Sequence, residues 1–322
     1  MRKFFTILIL LLVLFSCKED FDVFIPDDPP ITEPQPLNGD INRFFEAIAP
    51  EAQVFTFQAE NGASIRTDNN VQFNIPGHAF ADTNDDLVSG ELRIEITEIL
   101  KKGDMLLNRV STEANEYLIN SAGAFHIKVF KDGSAVQLAT DKELNIQIPI
   151  GGEYSDDMEV FYGERLADGS FNWEEADNDP EVQNNVWLSE FFDSLSQQWG
   201  LSYDLYATQL EWINCDEFVN LDEGAKLSVE VPESYSDTNS VVYLVFEDLN
   251  AIMQLNWNDQ EKIFTQNYIP LNEAVQLILI AEGADQRFYF SNLSTTISAD
   301  EVISMSPEEI PLGDIVEFIS GL

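Results

Sequence analysis

Between residues 51 and 150 apolar and polar side chains alternate with a period of two. Phe55, Phe57 and Ala59 alternate with Thr56 and Gln58, and Val71, Phe73 and Ile75 with Gln72 and Asn74. Leu92, Ile94 and Ile96 alternate with Arg93 and Glu95, Phe125, Ile127 and Val129 with His126 and Lys128, and Leu144, Ile146 and Ile148 with Asn145 and Gln147. Successive side chains on a strand point to opposite faces, so each run has one apolar face. Half-buried strands broken by Gly, Asn and Asp predict a β-sandwich over residues 51–150. Asn61-Gly62 and Asp132-Gly133 are predicted tight turns, where glycine supplies a positive φ.

The segment 151–222 is less regular. Val160 to Tyr162 and Ser170 to Trp173 flank Ala167-Asp168-Gly169 as a hairpin. Trp187, Phe191, Leu195 and Trp199 recur at every fourth position beside Leu188 and Phe192, which predicts a helix ended by Gly200, with both tryptophans in its buried stripe. Tyr203 to Leu210 is a predicted strand. Residues 223–322 return to β patterning at Leu227–Val231, Val241–Phe246, Ile263–Ile269, Val275–Ala281 and Phe288–Leu293. Val241–Phe246 and Leu277–Ile280 are nearly continuous apolar runs, the pattern of central strands covered on both faces. A short helix is predicted within Pro307–Leu322. The whole reads as mainly β: tandem β-sandwich domains with a mixed, partly helical segment between them and a short C-terminal helix.

Residues 17–50 read as a tether, rich in proline at Pro29-Pro30, Pro34 and Pro36 and therefore extended. A short helix over 41–49 closes it, capped by Asp40 and ended by Pro50. Ahead of the tether, Arg2 and Lys3 precede an apolar run from Phe4 to Phe15, the build of a secretory signal over residues 1–16. The run is shorter than the roughly 20 residues a spanning helix needs. Leu14-Phe15-Ser16-Cys17 resembles the bacterial lipoprotein signal, which implies that Cys17 is lipidated, with palmitate among its acyl chains. Lys18-Glu19-Asp20 resembles the lysine-plus-acidics export signal of Bacteroidetes lipoproteins, which implies the outer face of the outer membrane.

Sixteen basic residues against 58 acidic ones leave a formal charge of −42. Such a field repels phosphate backbones and disfavours a nucleic-acid partner. If Cys17 carries lipid, Cys215 has no partner for an internal disulfide and reads as a buried small apolar residue.

A second resemblance lies within residues 51–150. Asn74-Ile75-Pro76-Gly77-His78-Ala79-Phe80, the acidic loop from Asp82 to Asp86, Val88-Ser89-Gly90 and Leu92 to Leu100 resemble a β-sandwich module of Bacteroidetes surface proteins, distantly similar to ZU5 domains. Many relatives carry Asn-Gly where this chain has Asn84-Asp85. Trp212-Ile213-Asn214-Cys215-Asp216-Glu217-Phe218 resembles a signature of the same lipoproteins. Neither resemblance brings catalytic residues with it.

Chemistry is sparse. The two histidines, His78 and His126, stand in no nucleophile motif, and no Gly-x-Ser-x-Gly occurs. Zinc patterns are missing. Calcium suits oxygen donors, which makes Asp82, Asn84, Asp85 and Asp86 the candidate ligands and Asp177-Asn178-Asp179 a weaker set, although Asp and Asn also favour turns for their own backbone bonds. No other cofactor is implied. Glu174, Glu175, Asp177 and Asp179 beside Trp173 are the densest acids, and Trp257, between Asn256 and Asn258, is the candidate ligand-binding aromatic. Asp193-Ser194-Leu195 resembles a short O-glycosylation motif. These features favour a non-catalytic outer-membrane lipoprotein that binds or assembles with a surface protein or glycan. The alternative is a glycan-binding protein or glycan-degrading enzyme.

Overall fold

The computed structural model describes residues 39–322 except 116, 167–168, 177–183, 194–196, 221–223 and 284–286. The leader, Cys17, Lys18, Glu19, Asp20, Asp177 to Asp179 and Ser194-Leu195 lie outside the described residues.

Helix α1 (Ile41–Ile48) starts where Asp40 accepts the Asn42 N–H at 3.0 Å and stops at extended Ala49, before Pro50. Strands β1 (Gln53–Gln58), β2 (Ala63–Arg66), β3 (Gln72–Ile75), β4 (Phe80–Ala81) and β5 (Glu91–Ile99) lead to helix α2 (Lys102–Leu107). The carboxylate of Asp104 holds the start of α2 by accepting the N–H groups of Leu100 and Lys101, both at 3.1 Å. Next come β6 (Glu113–Ala114), β7 (Tyr117–Lys131), β8 (Ser134–Leu138), β9 (Leu144–Ile150), β10 (Glu159–Arg165), β11 (Phe171–Glu175), β12 (Asn185–Asp193), β13 (Gln198–Ala207) and β14 (Glu211–Phe218).

These strands make two sheets. The larger runs β1-β5-β7-β14-β10-β11 with β4, β6 and β8 attached; the smaller runs β12-β13-β9-β3-β2. Phe73, Ile94, Ile96, Phe125, Ile127, Leu144, Ile146 and Ile148 fill the core between them, the apolar faces that the alternation predicts. At the β7–β8 turn Asp132 and Gly133 both have positive φ, 50° and 85°, as a two-residue hairpin requires. Segment 151–222 supplies β10 to β14 and so completes both sheets of this first sandwich.

The second sandwich is built from β15 (Gly224–Glu230), β16 (Ser240–Phe246), β17 (Ile252–Gln254), β18 (Asn256–Asn258), β19 (Ile263–Pro270), β20 (Ala274–Glu282), β21 (Phe288–Thr296), β22 (Glu301–Ser304) and β23 (Glu308–Glu309), followed by α3 (Leu312–Ser320). Its sheets are β18-β19-β15-β22 and β17-β16-β20-β21-β23. Strand β16 is buried throughout: Val242, Leu244 and Phe246 face the core of this sandwich, while Val241, Tyr243 and Val245 face the other way.

That other way is a third core. Ile41, Phe44 and Phe45 of α1, Met105 and Leu106 of α2, and Ile315 and Ile319 of α3 fill a seam between the back of the large sheet and the back of β16 and β20. The side-chain amide of Asn250 stitches it, donating to Leu100 O at 3.0 Å and Ser121 O at 2.8 Å. The described residues of 39–322 consequently belong to one compact unit. Among the described residues no helix is long and apolar enough to cross a membrane.

The helix predicted over Trp187–Trp199 is instead the hairpin β12–β13, with Trp187 opposite Asp204 and Phe192 opposite Trp199. A spacing of four keeps residues on one face of a strand as well as of a helix, and Val186, Trp187, Phe191 and Phe192 suit a strand better. Gly200 pairs with Phe191 inside β13 and terminates nothing. Trp187 and Trp199, expected in the core, are 61% and 70% exposed.

Candidate functional site

The smaller sheet of the first sandwich turns Ile146, Ile148, Leu205 and Tyr203 inward, so the alternate residues of each strand form its outer face. Strand register aligns those residues into two rows. One row runs Asn185, Tyr206, Asn145, Asn74, Ser64, and the other Trp187, Asp204, Gln147, Gln72, Arg66. Neighbouring strands are about 4.8 Å apart and the rows lie roughly 7 Å from one another, on a sheet curved enough that Arg66 of β2 reaches Phe191 of β12, at its opposite edge.

Hydrogen bonds run along both rows. Asn74 Nδ2 donates to Asn145 Oδ1 at 2.8 Å and Ser64 Oγ to Asn74 Oδ1 at 3.0 Å. Gln147 Nε2 donates to Asp204 Oδ1 at 2.9 Å, and Arg66 donates to Gln72 Oε1 at 2.8 Å. Gln72 also donates to Ser64, which ties one row to the other. Tyr206 has its hydroxyl pKa raised, first by burial and then by the charges of Asp204 and Glu143, so it stays a neutral donor. At the hairpin end Phe191 is buried with the guanidinium of Arg66 5.3 Å from its ring centre.

The candidates read from sequence sit elsewhere. Asp82 Oδ1 accepts the N–H groups of Asn84 at 2.8 Å and Asp86 at 3.1 Å, which lowers the pKa of its carboxyl. Asp85, left-handed at φ 64°, accepts the Thr140 hydroxyl at 2.9 Å. Asp82 serves its own turn and Asp85 ties that turn to Thr140, and no group of three or more His, Cys, Asp or Glu is placed to hold a metal ion among the described residues. Trp257 lies in strand β18; its ring packs on Phe264 at 4.9 Å and its indole N–H donates to Asp259 at 3.2 Å. Trp173 is fully buried, donating to Ser111 O at 2.8 Å, which removes the aromatic expected beside Glu174 and Glu175 from the surface. His78 lies in a left-handed turn, His126 stacks on Trp212 and bonds Glu211, and Cys215 is buried as expected.

An open hollow of about 420 Å³ lies at the end of the first sandwich, lined in part by Ser121, Tyr154, Met158, Tyr203, Glu217 and Asn250. In its lining Asn120 Nδ2 donates to Glu217 Oε1 at 2.9 Å and the Tyr203 hydroxyl donates to Ser155 O at 3.1 Å.

No protein-family model and no characterised protein matches this chain. The site therefore stands on its own geometry. The amides of the two rows were visible in sequence as the polar partners of Phe73 and Ile146, and their lack of charge distinguishes them from Glu91, Arg93 and Glu95 on β5.

Proposed function

We propose that the protein is a lipid-anchored, non-catalytic component of the outer membrane, displayed on the cell surface, whose tandem-sandwich body works by binding. The leader ending at Cys17 and the Lys18-Glu19-Asp20 that follows it support the address. Acyl chains contributing about 0.8 kcal/mol per buried methylene would hold the N-terminus while the acidic body stays in water.

The observation that carries the binding reading is the pair of prearranged hydrogen-bonding rows on the outer face of β12-β13-β9-β3-β2. Groups held in place before a ligand arrives reduce the ordering cost of binding it. By contrast, the acid buried beneath the seam, Asp216, is packed against Asn214 and kept from solvent, which suits a structural role.

Fractionation tests the anchor. Replacing Cys17 with Ala releases the protein from membranes without detergent; a variant that still needs detergent rejects lipidation at that residue. Replacing Lys18, Glu19 and Asp20 with Ala keeps the protein membrane-bound but removes it from the reach of external protease. Unchanged cleavage in intact cells would reject the surface assignment.

A further inference from the structure

We infer that the outer face of β12-β13-β9-β3-β2 binds a neutral glycan chain, a reading that rests on the protein's working by binding but not on its anchor. Charge comes first. The chain carries 58 acidic residues, yet the ten positions of the two rows hold one acid, Asp204, and one base, Arg66. A cation, an acidic peptide or an anionic polymer would find no matching field on this face, whereas a neutral partner loses nothing by approaching it.

The donor and acceptor inventory points the same way. Asn74, Gln72 and Gln147 each carry two N–H donors and an acceptor oxygen, and the bonds along the rows use only part of that capacity, whereas Asn145 Nδ2 is buried out of a ligand's reach. Sugar hydroxyls both donate and accept, so they match amides. An apolar partner would strip water from the same groups and leave them unpaired, at a cost.

An aromatic completes the set. Trp187 ends one row, 61% exposed and directly opposite Asp204, with Tyr206 on the neighbouring row. An indole beside a carboxylate offers a sugar ring an apolar platform for its C–H face and an acceptor for its hydroxyls. The rows cross all five strands, so the ligand would lie across the strands and follow the curve that brings Arg66 to Phe191.

The test uses the detergent-solubilised full chain in native gels containing amylose, xylan, mannan or β-glucan, with polygalacturonate as the anionic contrast. At least one neutral polymer is expected to retard the protein. Trp187→Ala and Gln147→Ala should each weaken that retardation about tenfold, the loss of one platform or one hydrogen-bonded site, while Trp257→Ala on the second sandwich leaves it unchanged. Unaltered melting temperatures confirm that the variants are folded. Retardation by no neutral polymer, retardation by polygalacturonate alone, or wild-type retardation of both row variants overturns the inference. If the gels fail while the protein remains detergent-dependent and protease-accessible on cells, the glycan site falls and the anchored surface reading stands.

Discussion

Trp212 and His126 lie face to face across β14 and β7, their ring centroids 4.0 Å apart and their planes 11° from parallel. Phe171 meets the same indole edge-on at 5.0 Å, and Glu211 Oε2 stands 3.0 Å from His126 Nε2. Burial pushes the imidazole below its ordinary pKa of 6.5, with Lys128 and Arg165 acting in the same direction and Glu211 opposing. The neutral ring is therefore the folded form, and below about pH 6.5 the unfolded chain binds a proton that the folded chain resists. Stability falls as pH drops through that range. Denaturant titrations between about pH 7 and 5 should show a shallower decline for His126→Gln than for the native chain; parallel declines would show that His126 does not titrate in this way.

Asp216 presents the opposite sign. Its carboxyl is wholly buried; Asn214 Nδ2 donates to Oδ2, and Oδ1 has no hydrogen-bond partner among the described residues. Burial raises its pKa well above the usual carboxylate value of 3.8, so the folded chain keeps a proton that the unfolded chain releases. That contribution to stability is present at acid pH and lost as pH rises. Asp216→Asn matches the shape without needing the proton and is expected to gain about 1 kcal/mol near neutrality. A lower melting temperature for this variant at pH 7 would contradict the assignment.

Alternation exposed the strands wherever one face met a core and the other met solvent, as at Phe73 and Ile146, and unbroken burial exposed Val241–Phe246 as a strand between two cores. It misread Trp187 to Trp199, because residues four apart share a face in a helix and in a strand alike. Nor could it place strands side by side. The bond from Asn74 to Asn145 spans 71 residues and that from Gln147 to Asp204 spans 57, so the rows of the candidate site exist only once β9 lies between β3 and β13. The polar residues were legible as outward-facing; their assembly into one surface was not.

Cys215 points into the first core with no exposed surface, and burial, with Asp216 adding to it, drives the thiol's pKa far up. The reactive form of a thiol is the thiolate. Native protein is therefore expected to leave a thiol-specific chromogenic reagent unconsumed at pH 8, and denatured protein to react promptly at this residue. Rapid labelling of Cys215 in the folded chain would mean that the core opens there.

Helix α1 is tied into the seam at its N-terminal end. Glu282, at the end of β20, is buried and accepts the Asp40 N–H at 3.0 Å and Arg43 Nε at 3.2 Å. The backbone of Gly39 approaches the same place so closely that a Cβ would stand 1.5 Å from the Glu282 carbonyl oxygen. Arg43→Met leaves the carboxylate without its cation, and because Arg43 is itself about half exposed the cost should be about 2 kcal/mol, below the ~3–5 kcal/mol of a fully buried pair. Gly39→Ala cannot be absorbed by a side-chain rotation, since the obstacle is backbone, so residues 39 and 40 must move and loosen Ile41, Phe44 and Phe45 from the seam. Calorimetry should show a larger drop in Tm for Gly39→Ala than for Arg43→Met, with new proteolytic cleavage near Phe44. A Gly39→Ala protein that melts with the native one would mean that α1 adds nothing to the cohesion of the two sandwiches.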